Sequence, residues 1–162
     1  MVGKSKTVQM IAANFMSRGV GTILVKETYT GIAASTIDGK ILHFIAVSPL
    51  NGAKQSRTIK TLELYWHHKH YLIIDEIPMV SRDMFTKLSD ISGRERVGQL
   101  FSYEEPLGEL NVILVGDFHQ CPQVSTSGIR NVLTLYIPCN PAEDSTLAMF
   151  GRKLYERFDI VV

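Results

Sequence analysis

An α/β fold with a mostly parallel sheet is predicted by three observations. Two uninterrupted apolar runs, "YLIID" (Tyr71 to Asp75) and "NVILVGD" (Asn111 to Asp117), each end on a carboxylate. Runs of this kind are expected of parallel strands buried on both faces. Stretches of helical periodicity separate the strand-like runs, and such alternation implies parallel pairing through helical crossovers. Finally, Gly3-Lys4-Ser5 opens a helical pattern at the start of the chain.

Taken in order, Val8, Ile11, Ala12 and Phe15 recur at i, i+3, i+4 and i+7, which predicts a helix stopped by Gly19 and Gly21. "TILV" (Thr22 to Val25) reads as a buried strand and "GIAAST" (Gly31 to Thr36) as a short helix. No period emerges between Gly39 and Arg57, where a loop-rich insertion is expected. After the central strand at Tyr71, Met84, Leu88 and Ile91 mark a helix. The following "SGRERVGQLFSYEEPLGEL" is polar and reads as turn-rich. Beyond the Pro and Asn cluster near Pro138 to Pro141, Leu147, Phe150 and Leu154 mark a last helix, and "DIVV" begins a last strand. There is no internal repeat or low-complexity tract.

Composition bounds the function. The 162 residues suit one domain with a substantial core. Hydrophobic residues at 45% and charged residues at 20% exclude a disordered chain. A net charge of +1 advertises no polyanion partner globally, so any nucleic-acid contact must be local. Cys121 and Cys139 form no C-x-x-C pair and are expected to be reduced structural thiols. No apolar run reaches membrane-spanning length, and no targeting segment is expected.

Parallel sheets place ligands at the carboxyl ends of their strands. Asp75-Glu76 and Asp117 lie at two such ends, and a helix start at Gly3-Lys4-Ser5 belongs on the same edge. Helix N–H groups hold phosphate oxygens, Lys4 neutralises the outer phosphates, and the Ser5 hydroxyl reaches Mg²⁺. Asp75 completes the shell of the ion, and Glu76 orients or deprotonates the attacking water. Alone, Gly3-Lys4-Ser5 reads equally well as a solvated N-terminus. Its order with the two acidic strand ends fits a P-loop nucleotide hydrolase. "WHHKH" (Trp66 to His70) reads as a polar lead-in to the strand rather than a zinc site, and Lys54, Arg57 and Lys60 as a solvated face.

Four stretches carry a more specific likeness: "TGIAAS" (Thr30 to Ser35), "LIIDEIPMVS" (Leu72 to Ser81), "NVILVGDFHQCPQV" (Asn111 to Val124) and "GRKLYERFDIVV" (Gly151 to Val162). Together they resemble the petite-integration-frequency (PIF) family of DNA helicases, nearest to its fungal and Helitron-transposon types. The resemblance implies a RecA-like P-loop domain of a superfamily-one helicase, using ATP and Mg²⁺ to move 5′ to 3′ along single-stranded DNA and unwind duplex DNA. Roles in DNA repair, recombination and telomere maintenance follow from it. So do a monomeric state without a membrane and a nuclear location, with mitochondria as a second compartment.

Carried over, Gly3, Lys4 and Ser5 end the phosphate loop, with Ser5 and Asp75 holding Mg²⁺. Glu76 is the water-activating base, and Gln120 contacts the γ-phosphate. Thr30 and Gly31 touch the DNA backbone, as does His43 in a weaker motif match. Pro78 stands where the family usually has serine, Ile41 replaces a threonine, and Cys121-Pro122-Gln123 replaces leucine-proline-proline. Residues 1–162 are thereby expected to be a first motor domain truncated at both ends, without a second motor domain and inactive alone. A non-catalytic relic or binding module derived from such a helicase is the alternative. A signalling or transport hydrolase fits "GDFHQ" poorly.

Overall fold

The structure, a computed structural model, describes residues 3–42, 64–97, 106–117, 135, 140, 142 and 144–159. Its organising element is strand β3 (Tyr71–Asp75), in which Leu72, Ile73, Ile74 and Asp75 are all buried. β3 lies between β1 (Leu24–Thr28) and β4 (Asn111–Leu114), and β1 pairs further with β2 (Lys40–Ile41). The order is β2-β1-β3-β4 and every pairing is parallel, the α/β arrangement predicted. β4 is the edge of this sheet among the described residues, and its side chains alternate between exposed and half-buried.

Side chains alternate across a strand, so neighbouring residues of β3 feed different cores. Ile73 packs with Val8 of α1 (Gly3–Ser17) and Ile37 of α2 (Gly31–Ile37). Leu72 and Ile74 point to the other face, where Phe85 and Leu88 of α3 (Arg82–Val97) meet Phe150 and Leu154 of α4 (Thr146–Tyr155). The two helices of that face are tied by a buried ion pair, Arg82 Nη1 to Asp144 Oδ2 at 2.7 Å. Ser145 caps α4 by accepting the Ala148 N–H at 3.0 Å. Leu147, expected on the buried face, is exposed, whereas Phe150 and Leu154 are buried.

α1 follows its periodicity: Val8 is buried, and Ile11, Ala12 and Phe15 are half-buried on the same face. It ends in a Schellman motif. The Gly19 N–H donates to Met16 O and the Val20 N–H to Phe15 O, both at 3.0 Å, with Gly19 at φ 72°.

Three boundaries differ from expectation. Thr22 and Ile23 lie in a 3₁₀ turn (Gly21–Ile23), and β1 continues instead through Lys26, Glu27 and Thr28. β1 is therefore more polar than a buried strand usually is, with Glu27 and Thr28 fully buried. Within the stretch read as loop-rich, Lys40 and Ile41 form β2. α3 runs to Val97, through residues read as turn. Its serines face inward and are satisfied there: Ser92 Oγ donates to Leu88 O at 2.9 Å, and Ser89 Oγ accepts the Leu107 N–H at 3.0 Å. A serine whose hydroxyl is bonded within or beside its own helix does not break it. The expected strand at "DIVV" and the stretch 43–57 lie largely or wholly outside the described residues, as do Cys121 and Cys139.

The exits of β3 and β4 are stitched together. The Val115 N–H donates to Ile74 O at 2.8 Å, and the Ile77 N–H to Val115 O at 3.1 Å. Pro78 is the second residue of the 3₁₀ turn Ile77–Met79, still within the first turn, where no donor is needed from it. A Cβ on Gly116 would lie 2.4 Å from Pro78 Cδ and 2.8 Å from Ile77 Cγ2, so only glycine lets the two exits close this far.

Glu27 is the one buried carboxylate of the described strands whose two oxygens have no hydrogen-bond partner among the described residues. Burial pushes its carboxyl from the ordinary 4.5 up to about 8, against the pull of Lys40. Lys40 itself lies 4.1 Å above the Tyr65 ring.

Two predictions come from this packing. Gly116→Ala should destabilise the fold by about 1–3 kcal/mol in urea unfolding, the usual scale of overpacking. Pro78→Ala should recover part of that loss, and strict additivity of the two changes would show that they do not clash. The second concerns pH. A raised carboxyl contributes stability that is complete below its unfolded value, near 4.5, and lost as pH rises through about 8. Across that window the slope should reach up to about 1.4 kcal/mol per pH unit. Glu27→Gln, which mimics the neutral form, should flatten it; an unchanged slope would assign the dependence to other groups.

Candidate functional site

The site begins where β3 ends. Asp75 is buried, and its Oδ1 accepts the Glu76 N–H at 2.9 Å, which fixes the carboxylate at the strand terminus. Glu76 takes a left-handed conformation, φ 57° and ψ 41°. For a residue with a side chain this costs about 1–2 kcal/mol. The chain thereby turns sharply into the 3₁₀ turn, and the two adjacent carboxylates leave the strand end in different directions. Asp75 stays buried while Glu76 is only half-buried.

α1 brings the second component. Its last turn is anchored at the start of β3, where the Phe15 and Tyr71 rings meet edge to face with centroids 4.9 Å apart. Further back along the helix Val8 packs with Ile73. Ten helical residues from Phe15 to Ser5 rise about 15 Å, and four strand residues from Tyr71 to Asp75 advance about 13 Å. The helix N-terminus therefore stands level with the carboxyl end of β3, and Asp75 shares the sheet face of Ile73 on which α1 lies. The first turn of α1 contains Lys4 and Lys6 and no acid. Helix N-termini ordinarily attract acidic side chains, and cations there add to the positive end of the dipole. A helix start of this composition favours an anion.

The remaining residues on this edge fall into place by register. Thr28 pairs with Asp75 across β1 and β3, so both side chains leave the sheet on the same face. Thr30 and Gly31 follow two and three residues beyond. Thr30 Oγ1 accepts the Ala33 N–H at 3.2 Å and so caps α2, while Gly31 is exposed. Asp117 is half-buried just past the exit of β4. The structure thus gathers Asp75, Glu76 and the Gly3-Lys4-Ser5 helix start at one sheet edge, with Thr30 and Gly31 at the adjoining strand exit. His43 and Gln120 lie outside the described residues, as do Lys54, Arg57 and Lys60.

The sequence alone does not single out Thr28, because the apolar run of this strand ends at Val25. The available signal was the step from apolar "LV" to polar "KET" immediately before the Thr30-Gly31 turn. Among the described residues no three His, Cys, Asp or Glu side chains form a metal cluster. The oxygen donors present, a carboxylate and hydroxyls, suit a hard cation that keeps its waters and shares a phosphate.

Comparison with known proteins identifies the family of this fold. A family profile described as PIF1-like helicase matches residues 2–139. The ATP-dependent DNA helicase RRM3 of Saccharomyces cerevisiae is 31% identical over 137 residues, which cover 81% of this chain and 18% of the relative. The ATP-dependent DNA helicase PIF1 of Xenopus laevis is 34% identical over 119 residues, 68% of this chain and again 18% of the relative. Among solved structures, Pif1 helicase from Candida albicans superposes with a TM-score of 0.60 at 29% identity, covering 76% of this chain and 28% of that one. Pif1 helicase from Bacteroides in complex with ADP-AlF3 and ssDNA gives 0.54 at 25% identity, with the same coverage. This chain spans about a fifth of the length of these curated relatives. With a profile match over most of its residues and a sheet that superposes on solved Pif1 structures, the chain belongs to the PIF1-like helicase family.

Proposed function

We propose that this chain is the nucleotide-binding domain of an ATP-dependent DNA helicase. The observation that carries the reading is the convergence of a cationic helix start and the Asp75-Glu76 pair on one carboxyl edge of a parallel sheet. Its relatives are named ATP-dependent DNA helicases, and one solved relative holds ADP-AlF3 and single-stranded DNA.

In this reading the N–H groups at the start of α1 and the Lys4 ammonium hold the outer phosphates. Ser5 and Asp75 are the residues that would hold Mg²⁺, which when bound neutralises charge on the transferring phosphoryl group. The hydrogen bond from the Glu76 N–H keeps Asp75 oriented for this task. Glu76, turned away from Asp75 and half-buried, accepts a proton from the attacking water. Gln120, in the stretch after Asp117, is assigned to the γ-phosphate. Gly31, exposed at the exit of β1, offers backbone to a DNA phosphate, together with His43. Thr30 serves there mainly as the cap that fixes the turn, since its hydroxyl already accepts the Ala33 N–H.

Two outcomes test this. Labelled ADP should bind more tightly with Mg²⁺ than without, and Lys4→Ala should weaken binding in both conditions. Equilibrium titrations showing no dependence on Mg²⁺ or on Lys4 would remove the site. In any form of the protein that turns over ATP, Glu76→Gln should leave nucleotide affinity intact while lowering turnover by roughly 10²-fold or more, the scale of a lost general base. Near-normal turnover in that variant would reassign the base.

A further inference from the structure

We propose that the Thr28 hydroxyl is a further positioning group of this site, accepting a hydrogen bond from a water of the hydrated divalent cation held by Asp75. The proposal rests on the nucleotide-binding reading above and adds to it a residue of the neighbouring strand.

Thr28 is the last residue of β1 and is fully buried. Its Oγ1 finds no hydrogen-bond partner among the described residues. A buried hydroxyl left unpaired costs stability, so its place beside a functional carboxylate calls for an explanation. The register places this hydroxyl beside Asp75: the two residues are directly paired on parallel strands, about 4.8 Å apart in the hydrogen-bonding direction. Both side chains leave the sheet on the face that carries Ile73 and α1, under the helix start assigned to phosphate. Two residues earlier on that face, Lys26 is drawn off to Asp38, with Nζ 3.3 Å from Oδ2.

Asp75 presents its carboxylate with Oδ1 already bonded to the Glu76 N–H. A neutral hydroxyl beside it can accept from a metal-bound water without adding negative charge to an edge that must receive phosphate. Mg²⁺ dehydrates reluctantly and keeps several waters, so groups that orient those waters contribute to its affinity.

The test compares Thr28→Val, which removes the hydroxyl at nearly constant shape, with Thr28→Ser, which keeps it. The measurement is the Mg²⁺ concentration giving half-maximal binding of fluorescent ADP, with metal-free ADP binding and the melting temperature as companions. Thr28→Val should raise the Mg²⁺ requirement by about 10-fold, the lower scale for losing an outer-shell partner. Metal-free ADP binding and melting should stay at or above wild type, and Thr28→Ser should behave as wild type. A lowered melting temperature with unchanged Mg²⁺ requirement in Thr28→Val would make the hydroxyl structural and overturn the proposal. Asp75→Asn separates the two layers. If it loses Mg²⁺ dependence while Thr28→Val does not, the Thr28 role fails and the nucleotide site stands. If neither variant changes it, both fail.

Discussion

The register of β3 against its two neighbours is the constraint on which the rest of the structure depends. Because Thr28 is paired with Asp75 and Ile74 with Leu114, three strand ends finish at nearly one level. Loops leaving that level can share a ligand. A slip of one residue in either pairing would turn Asp75 toward the α3 and α4 face and bury it among Leu72, Ile74 and Phe85. β3 is apolar on both faces, so what opposes this slip is the cost of burying Asp75 in that core, together with the fit of Ile73 between α1 and α2 and of Leu72 and Ile74 in the opposite core. Hydrophobic packing thus specifies where a carboxylate stands. The chemistry proposed for this edge is a consequence of core packing some distance below it.

Close approach at the sheet edge depends on one missing side chain. Gly116 leaves room for the Pro78 ring, and the backbone bonds between Ile74, Val115 and Ile77 fasten the two exits over that gap. Pro78, where the resemblance leads one to expect serine, is accepted by the 3₁₀ turn without losing a donor. The departure is therefore absorbed by the local geometry, and Asp75 and Glu76 keep their strand-end placement around it.

Much of this was legible in the sequence where one physical signal dominated. β3 is apolar on both faces and was read to the residue. α1 has an unmixed 3.6-residue period and glycine at its end. The pair of acidic strand ends and the lysine-bearing helix start were found for the same reason, each being punctuation on a strong pattern. β1 starts two residues and ends three residues later than its apolar run predicts, because Lys26, Glu27 and Thr28 look like loop in composition and only pairing on both sides makes them a strand. The sequence ends α3 too early because the polar stretch opening at Ser92 reads as turn until Leu88 O supplies the partner of its hydroxyl. Thr28 followed the fate of its strand: a hydroxyl becomes notable only when register puts a carboxylate next to it.

The buried carboxyl of Glu27 has a consequence for the electric field of the molecule. The formal charge of +1 counts every acid as ionised, but this one holds its proton through most of the neutral range. Burial thus shifts the balance toward positive charge at the β1–β2 margin, where Lys40 and Lys69 flank the Tyr65 ring. That margin adjoins the exit leading to Thr30 and Gly31. With no ionised counterpart beneath them among the described residues, the two ammonium groups create a local positive potential on this side of the sheet, one that attracts anions most effectively at low ionic strength.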